Sequence, residues 1–255
     1  MTILITNDDG INSEGLKVLT NTISELGEVF VVAPDRQRSA VGLSVTLERP
    51  LRVESIGERK FSVDGMPVDC VMLAIHRLME STPDLIISGI NEGQNIGYDI
   101  YHSGTVGAAL VGTMFGIPSM AVSIADNRFS GTDEDIIRYD TAASIALKLA
   151  KIIFQRKLPT GTLLNVNVPN LPLSEIEGIE ATRHCNSTYD IEILHRLDPR
   201  GRKYYWLGGE FQGNSDRSET DLDALQHNRA SVTPLRLDIT DYTMMQELSN
   251  WMLDT

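Results

Sequence analysis

Two aspartates stand side by side at Asp8 and Asp9, between the apolar run Ile3–Ile5 and Gly10. Adjacent carboxylates at the mouth of a buried strand repel each other and lose hydration. A divalent cation offsets both costs, and hard carboxylate oxygens suit Mg2+, Mn2+ or Ca2+. The same residues also read as an Asx-rich turn that only leads the chain into the next helix. Asp-Asp-Gly alone does not separate the two readings.

Two further stretches carry residues with chemistry to offer. The loop PDRQRSAVG, residues 34–42, holds Arg36, Arg38 and Ser39. A hydroxyl ligates Mg2+ or bonds a phosphate, and arginines screen an anion; each arginine singly also reads as a solvated loop residue. The stretch SGINEGQNIGYDIYHSGTVGAALVG, residues 88–112, holds Asn91 and Asn95, whose amide oxygens are donors to a metal or ligand. Its glycines 89, 93 and 97 let the backbone approach a ligand closely. Ser103, Gly104 and Thr105 then open an apolar helix, and hydroxyls with free N–H groups at a helix start form an anion cradle. Ser103 reads equally as a plain N-cap, and His102 as a proton carrier or a packing histidine.

The elements that must position these residues follow from hydrophobic periodicity. Ile3–Ile5 is a short buried strand. Leu16, Leu19, Ile23 and Leu26 recur at helical spacing behind Ser13 as N-cap, and Gly27 is the stop. VFVVA, residues 29–33, is a second buried strand, which makes a βαβ unit with a parallel pair. SVTLERPLRVES and KFSVDG, within 44–65, read as paired extended segments, with Pro50 at an edge or bend. Pro67 starts a helix with Val68, Val71, Ile75 and Leu78 as its stripe; Cys70 and His76 lie in that stripe as structural residues. Strands follow at 84–88, 117–124 and 163–168, with helices at 106–115 and 135–156. Strand and helix in alternation make an open three-layer α/β domain with a mostly parallel sheet, which binds ligands at the strands' C-terminal ends.

After Pro172 the texture changes. GIEATR, TYDIEIL and RKYYWLGG read as strands with no helix between them, an antiparallel extension or arm. Tyr204, Tyr205 and Trp206 in a row need cover from the main domain, a partner subunit or a ligand. TDLDALQ reads as a short helix, ASVTPLRLDI as two short strands, and 244–253 as a final amphipathic helix.

Bulk properties set limits. The chain has 255 residues, enough for one large α/β domain or two small ones, and 42% of them are hydrophobic. A formal charge of −13, from 22 basic and 35 acidic residues, argues against a broad basic surface for nucleic-acid polymers. Only Cys70 and Cys185 are present, which points to a reducing, cytoplasmic setting rather than a disulfide framework. The first strand starts almost at Met1, so no signal peptide is expected, and no apolar run reaches membrane-span length.

Together, ILITNDDGINSEGL, VVAPDRQRSAVGLSVT, DGMPVDCV, DLIISGINEGQNIGYDIYHSGTVGAA, the DPRGRKYYWLGG region and SVTPLRLDIT resemble the SurE family, the survival-protein acid phosphatases and nucleotidases. These segments spread over residues 3–240. The resemblance implies a metal-dependent phosphatase acting on nucleoside 5'- and 3'-monophosphates, and on short polyphosphate. It implies one divalent cation per subunit, Mg2+ or Mn2+, on Asp8, Asp9, Ser39 and Asn91, with Asp8 and Asp9 also the catalytic pair. Asn95, Ser103, Gly104 and Thr105 are then the expected substrate contacts. The implied fold is a Rossmann-like core over 1–172, with a hairpin arm and tail helix over 173–255 that are exchanged or packed in a homodimer or homotetramer. Met66 stands where the family more often has Thr, Val111 where it has an acidic residue, and residues 227–230 where it has Gly and an aromatic. These departures bear on substrate preference and tail docking, not on the metal ligands. Two other functions use similar parts: a non-catalytic metal- and nucleotide-binding regulator, and a nucleotide-sugar glycosyltransferase, for which little chain remains to build an acceptor domain.

Overall fold

The structure is a computed structural model that describes residues 1–126, 136–213 and 218–253. Its centre is a nine-stranded sheet built from β1 (Thr2–Thr6), β2 (Glu28–Pro34), β3 (Val53–Gly57), β4 (Lys60–Val63), β5 (Leu85–Glu92), β6 (Ser119–Ile124), β7 (Thr162–Val168), β8 (Gly178–Ala181) and β11 (Arg229–Arg236). The order is β3-β4-β2-β1-β5-β6-β7-β11-β8. From β4 to β7 every neighbouring pair is parallel; β3 on β4 and β11 on β7 are antiparallel. The central strands are apolar on both faces because both faces are covered. Ile3 and Ile5 of β1 point to α1 (Glu14–Ile23) and α4 (Tyr139–Arg156). Leu4 between them points to α2 (Pro67–Leu73) and α3 (Gly104–Met114). That alternation of period two, clothed by a helix layer on each side, gives the three-layer α/β architecture expected from the sequence.

Several local expectations need correction. Residues 44–52 form no strand; extended pairing starts only at β3, an exposed edge strand, after Pro50. The Pro67 helix ends at Leu73 and continues as a π turn over Ala74–Leu78. The change of period leaves Ile75 and Leu78 half-buried and turns His76 out, its ring edge-on to Phe115 at 5.0 Å, while Cys70 stays fully buried. The expected helix over 135–156 is seen from Tyr139; residue 135 lies outside the described residues.

The sheet also continues past Pro172, so the expected division at 172 does not coincide with its end. β8 lies parallel to β11 inside it rather than in the arm. ASVTPLRLDI forms one strand, not two. Val232 turns its carbonyl to β8, where it accepts from Thr182 N, so Pro234 turns its missing N–H to the same side, beyond the last β8 pair. The arm proper is the antiparallel hairpin of β9 (Ser187–Leu197) and β10 (Lys203–Gly213), a separate two-stranded sheet. Its turn is closed by Asp198, whose carboxylate accepts from Arg200 N and Arg202 N. A short α5 (Asp221–Gln226) and a final α6 (Tyr242–Leu253) complete the described chain.

Candidate functional site

Because β2 and β5 run parallel to β1 on either side, the loops leaving all three strands meet at one sheet edge. The first is built around Asn7, which is fully buried. Its Nδ2 donates to Gly10 O at 3.1 Å and to Ser13 Oγ at 2.7 Å, and its Oδ1 accepts from Gly10 N at 3.2 Å. Ser13 in turn caps α1 by accepting from Leu16 N at 3.3 Å. Gly10 has φ +100°, and a Cβ there would sit 3.0 Å from the backbone of Arg36. The Asx-turn reading of this segment is therefore correct. Asn7 makes the turn, which leaves Asp8 and Asp9 free for other work.

Asp8 and Asp9 line a polar cavity of about 230 Å3, together with Ser39, Asn91, Asn95 and Ser103. Sequence reasoning missed Glu92, Asp99, Gln37 and Gln94, which line it too. Four of the lining side chains are carboxylates, and no lysine or arginine is among them. Arg36 and Arg38, considered as anion screens, are spent elsewhere. Arg38 bridges Asp35 at 3.2 Å and donates to Asp64 O, while its backbone N–H donates to Asp8 O at 2.7 Å. Arg36 is exposed beside Asp35.

The two aspartates differ in how they are held. Asp8 is 5% exposed, and burial pushes its carboxyl above the usual range. The Thr105 hydroxyl, which donates to Asp8 Oδ1, and the backbone N–H groups of Asp8, Thr105 and Gly104 pull it back. The Ser103–Thr105 helix start is thus an anion cradle, as its sequence says, but the anion it holds is Asp8. Gly104 allows the approach: a Cβ there would lie 2.9 Å from Asp8 Cβ and 3.0 Å from Oδ2. Thr105 is fully buried and neither it nor Gly104 lines the cavity, so among the three only Ser103 faces it. Ser103 Oγ also accepts from Val106 N at 3.1 Å, the N-cap that its position predicts.

Asp9 is half-buried and has weaker support, a 3.4 Å bond from Glu92 N. Burial first, then the neighbouring charges of Asp8 and Glu92, push its carboxyl up to about 6. The Tyr139 hydroxyl donates to Glu92 at 3.2 Å and is itself driven up by burial and that carboxylate.

The third loop is anchored from below. Asn95 donates its backbone N–H to Asn167 Oδ1 at 2.7 Å and its amide to Ser123 Oγ at 2.8 Å, and its carbonyl accepts from Asn165 and Asn167. Asn165 and Asn167 alternate in LLNVNV, and two Asn in a buried strand were the available signal for this network. Asn91 donates Nδ2 to Gly93 O at 2.7 Å, which orients the amide so that its oxygen is the end left to accept.

Among the described residues no group of three or more His, Cys, Asp and Glu side chains is disposed as a metal cluster. The available donor set is instead two carboxylates, an amide oxygen and a hydroxyl. Those are hard oxygen donors, and the two acids, one buried and one half-buried, are both pushed up by burial with no cation offsetting it. The residues present fit a divalent cation by the chemistry of their donors.

A family model described as survival protein SurE matches residues 3–191. The chain is 47% identical over 253 residues to the 5'-nucleotidase SurE of Geobacter sulfurreducens, covering 99% of this chain and 94% of the relative. It is 45% identical over 257 residues to the 5'-nucleotidase SurE of Moorella thermoacetica, covering 99% and 96%. The crystal structure of the SurE protein from Aquifex aeolicus superposes with a TM-score of 0.86 at 39% identity, over 99% of this chain and 100% of that one. With its acidic cavity at the parallel sheet edge and full-length likeness to these proteins, the chain belongs to the SurE family.

Proposed function

We propose that this protein is a 5'-nucleotidase, a hydrolase that releases phosphate from nucleoside monophosphates with one Mg2+ or Mn2+ held by Asp8, Asp9, Ser39 and Asn91. The observation that carries the reading is a buried and a half-buried carboxylate side by side in a cavity whose lining has no lysine or arginine. When bound, the cation supplies the positive charge that polarises a phosphoryl oxygen and offsets its repulsion from a −13 protein.

The chain's own residues do the rest. Thr105 and the start of α3 fix the Asp8 carboxylate in one orientation. Asn91, oriented through Gly93, presents its amide oxygen. The Ser103 hydroxyl has accepted from Val106 N, so its proton is free for a phosphate oxygen. Asn95 lines the same cavity on a backbone pinned by Asn165 and Asn167. Asp8 has Oδ1 committed to Thr105, so of the two carboxylates Asp9 is the better placed for direct attack. Water is the other nucleophile, and rapid-quench trapping of an aspartyl-phosphate separates them.

Further features support the remaining parts of this reading. Ile193, Leu197, Tyr205, Trp206 and Leu207 on the hairpin are exposed, Leu207 at 81% and Trp206 at 65%, which fits a homodimer or homotetramer that covers them. Cys70 and Cys185 are buried and neither is in a disulfide, which fits a reducing cytoplasm. No helix among the described residues is long and apolar enough to cross a membrane. The test is phosphate release from a panel of nucleotides, ribose 5-phosphate and short polyphosphate with Mg2+, Mn2+ or chelator. Nucleotide binding without phosphate release in any metal would leave a regulator instead.

A further inference from the structure

Of the five histidines, only His102 lines the acidic cavity. Its backbone is fixed on both sides: its N–H donates to Asp99 O at 3.0 Å, and its carbonyl accepts from Gly42 N at 2.9 Å. The next residue is Ser103, whose N–H also donates to Asp99 O at 3.0 Å and whose hydroxyl caps α3. His102 is exposed, and among the described residues neither ring nitrogen has a hydrogen-bond partner. It is therefore not the packing histidine that the sequence also allowed. The rest of the lining is Ala40 with four carboxylates, four amides and two hydroxyls. Amides and hydroxyls do not titrate near neutral pH, and carboxylates give up their protons when a site takes a cation. Histidine is the side chain suited to trading a proton near neutral pH.

We propose that His102 is the general acid of the reaction, the group that protonates the leaving nucleoside oxygen. The inference rests on the nucleotidase reading and adds the residue that supplies the proton. A sugar alkoxide is a strong base and a poor leaving group, so its oxygen needs a proton as it departs. Water or Asp9 forms the new bond to phosphorus. The bond from phosphorus to O5' breaks, and its electron pair stays on O5'. That oxygen takes the imidazolium proton and leaves as the nucleoside alcohol. His102, then neutral, regains a proton from solvent, which balances the one released by the water consumed. In-line displacement places attacker and leaving oxygen on opposite sides of phosphorus, so the two need groups from different segments. Asp9 stands on the loop after β1, and His102 on the segment that leads into α3. The charged groups that share the cavity with His102 are the carboxylates of Asp8, Asp9, Glu92 and Asp99; the loop packed on its carbonyl through Gly42 adds none to the lining.

The experiment compares adenosine 5'-monophosphate with p-nitrophenyl phosphate, using wild type and His102→Gln with saturating Mg2+ or Mn2+. p-Nitrophenolate is a weak base and leaves without a proton. His102→Gln should lower kcat for the nucleotide by about a hundredfold, the lower end of what a general acid contributes, and leave kcat for p-nitrophenyl phosphate nearly unchanged. In wild type, kcat for the nucleotide should fall as rising pH strips the acid of its proton. That limb should be missing for p-nitrophenyl phosphate, and missing for both compounds in His102→Gln. The four carboxylates titrate in both proteins and shape the acid side of both profiles. Metal affinity, read by isothermal titration, should match wild type. The side chain is exposed, so its replacement leaves the core intact. Equal losses on both compounds, or a loss of metal affinity, would give His102 a binding or structural role and overturn the proposal. Cleavage of both compounds with an unchanged ratio in His102→Gln removes the general acid alone. A wild type that cleaves neither removes the nucleotidase reading and the general acid with it.

Discussion

The loops around Asp8 and the β9–β10 hairpin lie in one chain and are incomplete in opposite ways. Around Asp8 side chains of the chain itself hold the loops in place: Asn7 holds Gly10 and Ser13, Thr105 and the start of α3 hold Asp8, and Asn165 and Asn167 hold Asn95. What is missing there is positive charge. The hairpin has a closed turn and a complete ladder, yet it leaves Tyr205, Trp206 and Leu207 in water. What is missing there is apolar cover. On the function proposed above, a small hard cation answers the first deficit and a protein surface the second. The two complements should therefore be separable by mutation.

The largest effect is expected at the charge deficit. Asp8→Asn keeps the shape of the side chain and removes a charge that the site uses. Turnover should fall about a hundredfold or more, the scale of removing a main electrostatic element, while circular dichroism remains that of the folded protein. Asn91→Ala should act in the same direction. Mg2+ or Mn2+ should raise the melting temperature of the wild type by mass action and that of these variants much less. Near-normal turnover in Asp8→Asn would break the comparison at its first term.

At the cover deficit, Trp206→Glu together with Leu207→Glu should shift the protein toward monomer in sedimentation velocity at micromolar concentration. A permanent interface built on this arm would bury roughly 2,000 Å2 or more in total, and two buried charges oppose that directly. Metal-dependent stabilisation should persist in the variant. A wild type that sediments as a stable monomer would remove the need for cover.

A smaller, sharper effect belongs to Thr105. If its hydroxyl serves Asp8, Thr105→Val should weaken divalent-metal binding by roughly tenfold, as loss of a ligand's supporting hydrogen bond does, and Thr105→Ser should recover most of it. Isothermal titration of the metal-free protein measures this without turnover. A raised KM for the phosphate compound with unchanged metal affinity would return Thr105 to the substrate.

Much of this was legible in the sequence, because the signals are local. Ile3–Ile5, VFVVA and DLIIS are buried strands by composition, and parallel pairing then brings their following loops together without further information. The anion cradle at Ser103–Thr105 was legible too, but its occupant was not. A motif states that an anion is bound, and only the tertiary approach of Asp8, permitted by Gly104, says which one. Glu92 and Asp99 escaped because single acids in a polar loop look like solvated residues until a cavity gathers them. The place of β8 was not legible either. Four residues of moderate polarity pair with whichever edge is offered, and β11, more than forty residues later, offers it.

The finest test separates Asp9 from Asp8 by pH in the metal-free protein. An unfolded aspartate titrates near 3.9, and Asp9 in the fold is pushed up to about 6 by burial and by Asp8 and Glu92. Between those values the folded state binds more protons than the unfolded one, so stability falls as pH rises. The contribution is fully favourable below about 4 and is lost through about 6. Asp9→Asn is neutral throughout and has no such loss. With chelator present, the melting temperature of Asp9→Asn minus that of wild type should therefore grow from pH 5 to pH 7 and level off above. Groups that do not interact with Asp9 titrate alike in both proteins and cancel in the difference, while Asp8 and Glu92, relieved of its charge in Asp9→Asn, add to the difference with the same sign. Saturating metal should reverse the sign at pH 7, because the ionised Asp9 that destabilises the metal-free site is the form that binds the cation. A difference flat with pH would mean that Asp9 is not held in the acidic, desolvated setting described here.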